Sequence, residues 1–164
     1  MHTVCEARVY RFIQKNGDMI QNWFECKIKY DKTMENGMDK AVTEAYIVDA
    51  LSFTEAEARI IEEVTPFMNG EFTVQDIKRQ KFSEIFTSTK SSDDKWFKLK
   101  LTFISLDEKS GKEKKTSSLV LVQAGDIRAA IKNCDEGMKG GMADYVIASA
   151  VETAYMDVYQ YKGK

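Results

Sequence analysis

A chain of 164 residues, 43% hydrophobic and 30% charged with a single proline, is one ordinary domain able to bury roughly two-thirds of its unfolded surface, and not a disordered tail. Its 24 basic and 26 acidic side chains leave a net charge of −2, which excludes a global electrostatic pull toward DNA or an anionic membrane and confines any nucleic-acid site to a local patch. No apolar run approaches the roughly 18 residues of a membrane span and no signal-peptide pattern opens the chain, so the expectation is a cytoplasmic protein with no membrane partner.

Residues 1–21 read as a strand and hairpin extension. Ala7–Ile13 alternates as a strand, and Asn16-Gly17 is a two-residue turn leading to Ile20. Met19 offers an alternative start, which would make the first 18 residues dispensable.

From Trp23 the chain begins to repeat itself. Trp23-Phe-Glu-Cys-Lys-Ile-Lys-Tyr30 returns as Trp96-Phe-Lys-Leu-Lys-Leu-Thr-Phe103. Phe82-Ser-Glu-Ile-Phe86 returns as Tyr155-Met-Asp-Val-Tyr159, and both pairs of blocks lie 73 positions apart. A shared register from end to end predicts an internal duplication, with repeat 1 over 22–90 and repeat 2 over 91–164 inside a single domain of 1–164.

Within each repeat the phases are readable. Phe24, Cys26, Ile28 and Tyr30 point one way and Trp23, Glu25, Lys27 and Lys29 the other, with Phe97, Leu99, Leu101 and Phe103 repeating the first set. Charged hairpins centred on Gly37 and Gly111 lead to returning strands over 44–53 and 117–124, and Leu119–Val122 reads as buried on both faces. A helix follows in each copy. Thr54 with Glu57 forms a capping box ahead of the stripe Phe53, Ala56, Ile60, Val64, Phe67. Asp126 caps the second helix, with Ile127, Ala130, Ile131, Cys134 and Met138 as its stripe and Gly137 and Gly140-Gly141 as its stop. The third block, 72–86 and 145–159, reads as strand with a bulge near Ile77. The expected fold is therefore α+β: a duplicated ββαβ unit forming an antiparallel or mixed sheet with two helices on one face.

The sharpest candidate site is the face opposite the apolar phase. Trp23 with Lys27 and Lys29, and Trp96 with Lys98 and Lys100, would each set an aromatic beside two cations, with Lys78, Arg79 and Lys81 adding charge in the first copy. Aromatics stack bases and lysines track phosphates, so this pattern predicts single-stranded DNA or RNA as ligand. The plainer alternative is that the tryptophans cap the core and the lysines solvate an outer face. The second copy has Val151, Glu152 and Ala154 where the first has its basic cluster, which argues against a symmetric site.

Catalysis finds little support. Glu25-Cys-Lys27 fits a Glu-x-Lys nuclease pattern, but the second copy reads Lys98-Leu-Lys100. One histidine, His2, leaves no basis for His triads or His zinc sites. Glu84 and Asp157 are repeat-equivalent and could pair near a pseudo-axis, and Lys139-Gly-Gly-Met142 is too short for a phosphate loop. Cys5, Cys26 and Cys134 have no metal-ligand spacing, and Cys26 and Cys134 fall on apolar phases as buried free thiols of a reducing compartment. The expectation is a non-enzyme without cofactor or metal. Its alternative function is a protein-binding adaptor using eight methionines and exposed aromatics such as Tyr159 and Tyr161.

The strings Asn22-Trp-Phe-Glu-Cys-Lys27, Val48-Asp-Ala-Leu-Ser-Phe-Thr-Glu-Ala-Glu-Ala58 and Met156-Asp-Val-Tyr159 resemble an uncharacterised domain-of-unknown-function family of anaerobic gut bacteria and their phages. The resemblance covers about residues 22–160. It implies a small cytoplasmic protein of mobile-element type, such as a phage modulator of a host protein, and carries over no activity and no catalytic residue.

Overall fold

The computed structural model describes residues 22–141 and 144–160. The strand expected at 7–13 and the turn at Asn16-Gly17 lie outside them, as do Cys5, His2 and Tyr161. In chain order the elements are β1 (Asn22–Thr33), β2 (Asp39–Ala50), α1 (Phe53–Val64), a short 3-10 turn (Thr65–Phe67), β3 (Phe72–Gln80), β4 (Phe82–Phe86), β5 (Lys95–Leu106), β6 (Glu113–Ala124), α2 (Ile127–Met138), β7 (Tyr145–Glu152) and β8 (Tyr155–Tyr159).

The α+β class holds, but the layers differ from the expected single sheet with both helices on one face. Two four-stranded sheets form, in the orders β3-β1-β2-β8 and β4-β6-β5-β7. Each carries one helix on its outer face, and the inner faces pack on each other. The third block of each half is the cause. Instead of one continuous strand it breaks, at Lys81 in the first half and at Thr153-Ala154 in the second. Beyond the break, β4 crosses to pair parallel with β6, and β8 crosses to pair parallel with β2. Each half thus completes the other's sheet. At the second break the Thr153 amide and hydroxyl both donate to the Trp96 carbonyl, at 2.9 and 2.8 Å, which holds the crossover against β5.

The alternation of the strands supplies three cores. Phe24, Cys26 and Ile28 of β1 join Tyr46, Val48 and Ala50 of β2 under Ala56, Ile60 and Val64 of α1. Phe97, Leu99 and Leu101 join Val120, Val122, Ala124 and Phe86 under Ala130 and Cys134 of α2. Between the sheets lie Trp23, Ile47, Phe82, Ile85, Trp96, Leu121 and Tyr155. Burial on both faces explains the unbroken apolar run around Leu121: Val120 and Val122 face α2 while Leu121 meets the other sheet.

Local signals were shifted in places. The helix α1 is capped by Ser52, not Thr54. Its hydroxyl accepts from the Glu55 amide at 3.1 Å, and the Glu55 carboxylate accepts from the Leu51 amide at 3.2 Å. Ser52-x-x-Glu55 satisfies the same capping logic two residues earlier and leaves Phe53 in the first turn, half exposed, with Phe67 outside the buried stripe. Asp126 caps α2 as expected, accepting from Ala129 at 2.7 Å. The bulge in β3 falls at Gln75, where the register passes from Lys27↔Asp76 to Ile28↔Val74. Gly37 and Gly111 hold the hairpin tips at φ 79° and 67°, conformations costly for any residue with a Cβ.

Helix α2 sits so close to the crossing strand β4 that a Cβ at Gly137 would lie 2.6 Å from the Phe86 ring. Alanine is worth about 1 kcal/mol over glycine inside a helix, yet overpacking typically costs about 1–3 kcal/mol. Gly137→Ala is expected to be net destabilising in urea denaturation. The same change in a Phe86→Leu background, where the ring is gone, should turn neutral or stabilising.

Candidate functional site

Both tryptophans of the expected stacking face are only 3% exposed, each buried in the seam between the sheets. A base cannot stack on a ring already sandwiched by protein, so the aromatic half of the expected Trp-Lys site is not formed in the folded chain. The reason is the crossover. The phase opposite the helix, which a single sheet would leave to solvent, is covered here by a second sheet.

Next to each tryptophan the seam solves the same problem with opposite charge. Glu25, two residues after Trp23, takes a hydrogen bond from Tyr155, and burial together with the nearby carboxylate pushes that phenol well above its ordinary value. The Gln80 side-chain amide also donates to Glu25, at 3.1 Å. Lys98, two residues after Trp96, sets its Nζ 5.7 Å from the centroid of the Phe82 ring. Each position thus meets the aromatic that opens a crossing strand: phenol for the carboxylate, phenyl for the ammonium. Glu25 and Lys98 are parts of the sheet–sheet seam.

The remaining cations of the candidate site do not converge. Lys27 is half-buried; Lys29 and Lys100 are exposed on the inner phase of different sheets, toward the strand ends that the seam leaves uncovered. Lys78 lies beside Glu25 in register and 3.8 Å from Asp76 in an exposed pair of small energetic weight. Arg79 belongs to the opposite face, where its guanidinium lies 5.6 Å from the Phe24 ring and 5.9 Å from Phe53. Lys81 is exposed at the break before β4.

The other chemical candidates resolve similarly. Glu84 pairs with Val120 on the α2 side and Asp157 with Tyr46 on the α1 side, so these carboxylates sit on opposite outer faces and do not meet. No group of three metal-ligating side chains assembles among the described residues. At Lys139-Gly140-Gly141 the Gly141 amide donates to the Met138 carbonyl at 3.1 Å and Gly140 takes φ 91°, a helix stop. Cys26 and Cys134 are free and buried. Burial pushes Cys26 up to about 12 and Cys134 up to about 11 from an ordinary 9.0, with Glu25 and Asp135 adding repulsion. Both should resist alkylation in the native state at pH 8 and react once unfolded. Between pH 9 and the folded values only the unfolded chain ionises at these thiols. Stability should therefore fall as pH rises through that window, by about 1.4 kcal/mol per unit for each thiol, and a Cys134→Ala variant should show a shallower fall.

One surface went unrecognised in the sequence: the β7 edge of the second sheet. β7 pairs with β5 on one side and, among the described residues, meets no strand on the other. From Tyr145 to Val151 it carries no charged side chain, and Val146 and Val151 are 51% and 58% exposed. The matching edge of the first sheet, β3, is guarded by Asp76, Lys78 and Arg79. Charged residues on an edge strand discourage strand addition; their absence leaves an open row of backbone donors and acceptors. The signal was legible as the loss of the Lys78–Lys81 cluster in the second copy, a difference that bears on the edge and not on a charge patch.

Fold and surface together describe an α+β domain of two crossing halves whose second sheet ends, at β7, in an edge strand with a charge-free run. The chain belongs to the family described as Domain of unknown function (DUF4494), which matches residues 22–161. Neither a curated protein nor a solved structure matches the chain. Among the described residues no helix is long and apolar enough to cross a membrane.

Proposed function

We propose that this protein is a non-catalytic binding module that recognises protein, taking an added strand at the open edge of β7. The observation that carries this reading is the charge-free run Tyr145–Val151, with half-exposed valines at 146 and 151, on an edge that no strand of the described residues pairs. Strand addition draws affinity from main-chain hydrogen bonds and specificity from alternate side chains, and this edge supplies both. The buried thiols Cys26 and Cys134 fit a reducing cytoplasm, where a phage-type modulator of a host protein would act.

Single-stranded nucleic acid is the weaker reading. It retains Lys27, Lys29, Lys78 and Lys100 as exposed or half-exposed cations but neither tryptophan as a stacking platform. Phosphate contacts alone give weak, strongly salt-dependent binding. A photo-crosslinking side chain at Ser149 on the β7 edge, compared with one at Thr73 on the guarded β3 edge, separates the readings in producing cells. Protein adducts at 149 and not at 73 are expected. Equal labelling at both edges, or none, would overturn the proposal.

A further inference from the structure

We infer that the strand β7 receives is β7 of a second copy of this chain, paired antiparallel about a two-fold axis between Ala148 and Ser149. This rests on reading β7 as the recognition edge.

The register makes the case. Along β5 the pairing runs Lys98↔Val151, Leu99↔Ala150, Lys100↔Ser149, then Leu101↔Ile147 and Thr102↔Val146, so Ala148 is an extra, bulged residue. Before the bulge Tyr145 and Ile147 share the α2 side with Phe103 and Leu101, and after it Ala150 and Glu152 share that side with Leu99 and Phe97. Val146, Ser149 and Val151 take the other face. In an uninterrupted strand, 146 and 151 would fall on opposite faces, being an odd number of residues apart. The bulge restores them to the same face. An antiparallel two-fold pairing sets 145 against 152, 146 against 151 and 147 against 150 of the other copy, and opposed residues must share a face. With the bulge, all three oppositions do.

The backbone agrees. The Asp144 carbonyl accepts from Ile104 and the Thr153 amide donates to Trp96, so residues 144 and 153 turn their polar groups toward β5. Counting inward from both ends through the bulge, 146 and 151 also turn inward, while 145, 147, 150 and 152 turn theirs to the open edge. Those four are the ones this register joins by main-chain hydrogen bonds. Val146 and Val151 then form the non-hydrogen-bonded pairs, in which opposed side chains approach most closely. Two valines half exposed in one copy would cover each other twice in the dimer, and Tyr145 would stand opposite Glu152. The β3 edge, with Asp76, Lys78 and Arg79, has no such self-matching apolar pair.

The test is light scattering on the full chain over a concentration series, with circular dichroism on each variant as the check of folding. A monomer–dimer equilibrium is expected for the wild type. Val151→Lys should weaken it by about tenfold, since it spoils both cross-strand pairs. Adding Val146→Glu to Val151→Lys should restore it, because a glutamate at 146 then faces a lysine at 151 of the other copy in both pairs. A wild-type chain that stays monomeric at every concentration, or a dimer that the double variant does not rescue, would overturn the inference. If that monomer is still crosslinked to another protein from position 149, the functional reading stands and only the homotypic partner falls. A monomer with no adduct at 149 overturns both.

Discussion

Trp96→Ala is expected to lower the unfolding free energy by about 3–5 kcal/mol in urea denaturation, the range for emptying a large aromatic site in a packed core. Domains of this size hold only about 5–15 kcal/mol in total, so the variant should be near the limit of folding at 37 °C. Trp23→Ala should cost a similar amount, because both rings lie in the same seam with Ile47, Phe82, Ile85, Leu121 and Tyr155. The double variant should deviate from additivity, as contacts shared in one core do. A cost under about 1 kcal/mol, the ordinary outcome for a surface substitution, would mean that the rings are not structural.

Arg59→Met should be the next most damaging change, at about 3 kcal/mol. The Arg59 guanidinium donates to both the carbonyl and the carboxylate of Asp49, tying α1 to the end of β2, and both side chains are nearly buried. Removing one member of a buried ion pair strands the desolvated charge of the other, whereas replacing the pair by neutral groups of similar shape is often tolerated. The second half of the chain contains such a replacement. Gln123 and Asn133 occupy the matching places, and the Asn133 amide donates to the Gln123 carbonyl at 3.1 Å. Introducing Asp49→Gln with Arg59→Asn should therefore cost less than Arg59→Met alone. If the double change is the worse of the two in thermal denaturation, the pair contributes net stability that the neutral arrangement cannot match.

Much of the fold was legible because side-chain period and turn chemistry are local. The alternation from Trp23 to Tyr30, the stop at Gly140-Gly141 and the Asp126 cap each acted as written, whereas Gly137, expected in the stop, lies inside α2 against Phe86. The two halves even present the same strands and α-helices at near-constant spacing, of equal length except for the third block, while the 3-10 turn Thr65–Phe67 belongs to the first half alone among the described residues. What sequence reasoning missed was long-range. Nothing local to Phe82–Phe86 says that it leaves its own sheet, because a strand's partner is set by burial on both faces and not by its own pattern. That crossover, with the matching one of β8, decides the fate of the candidate site. It converts Trp23 and Trp96 from exposed platforms into core, commits Lys98 to Phe82, and leaves the lysines scattered over two sheets. Arg79 was placed on the wrong face for a smaller reason: Lys78 and Arg79 adjoin in sequence, and neighbours in a strand point to opposite sides. The β7 edge escaped notice because an edge strand is defined by what does not pair with it.

The most direct measurement is tryptophan fluorescence of the intact protein, with an iodide quencher and then with a single-stranded oligonucleotide at low salt, where electrostatic attraction is strongest. The expected result is blue-shifted emission, little quenched by iodide and unchanged by the oligonucleotide, as required of rings sealed in the seam between two sheets. Emission that iodide quenches freely, or that the oligonucleotide quenches in a salt-sensitive way, would contradict the account and return the tryptophans to a binding surface.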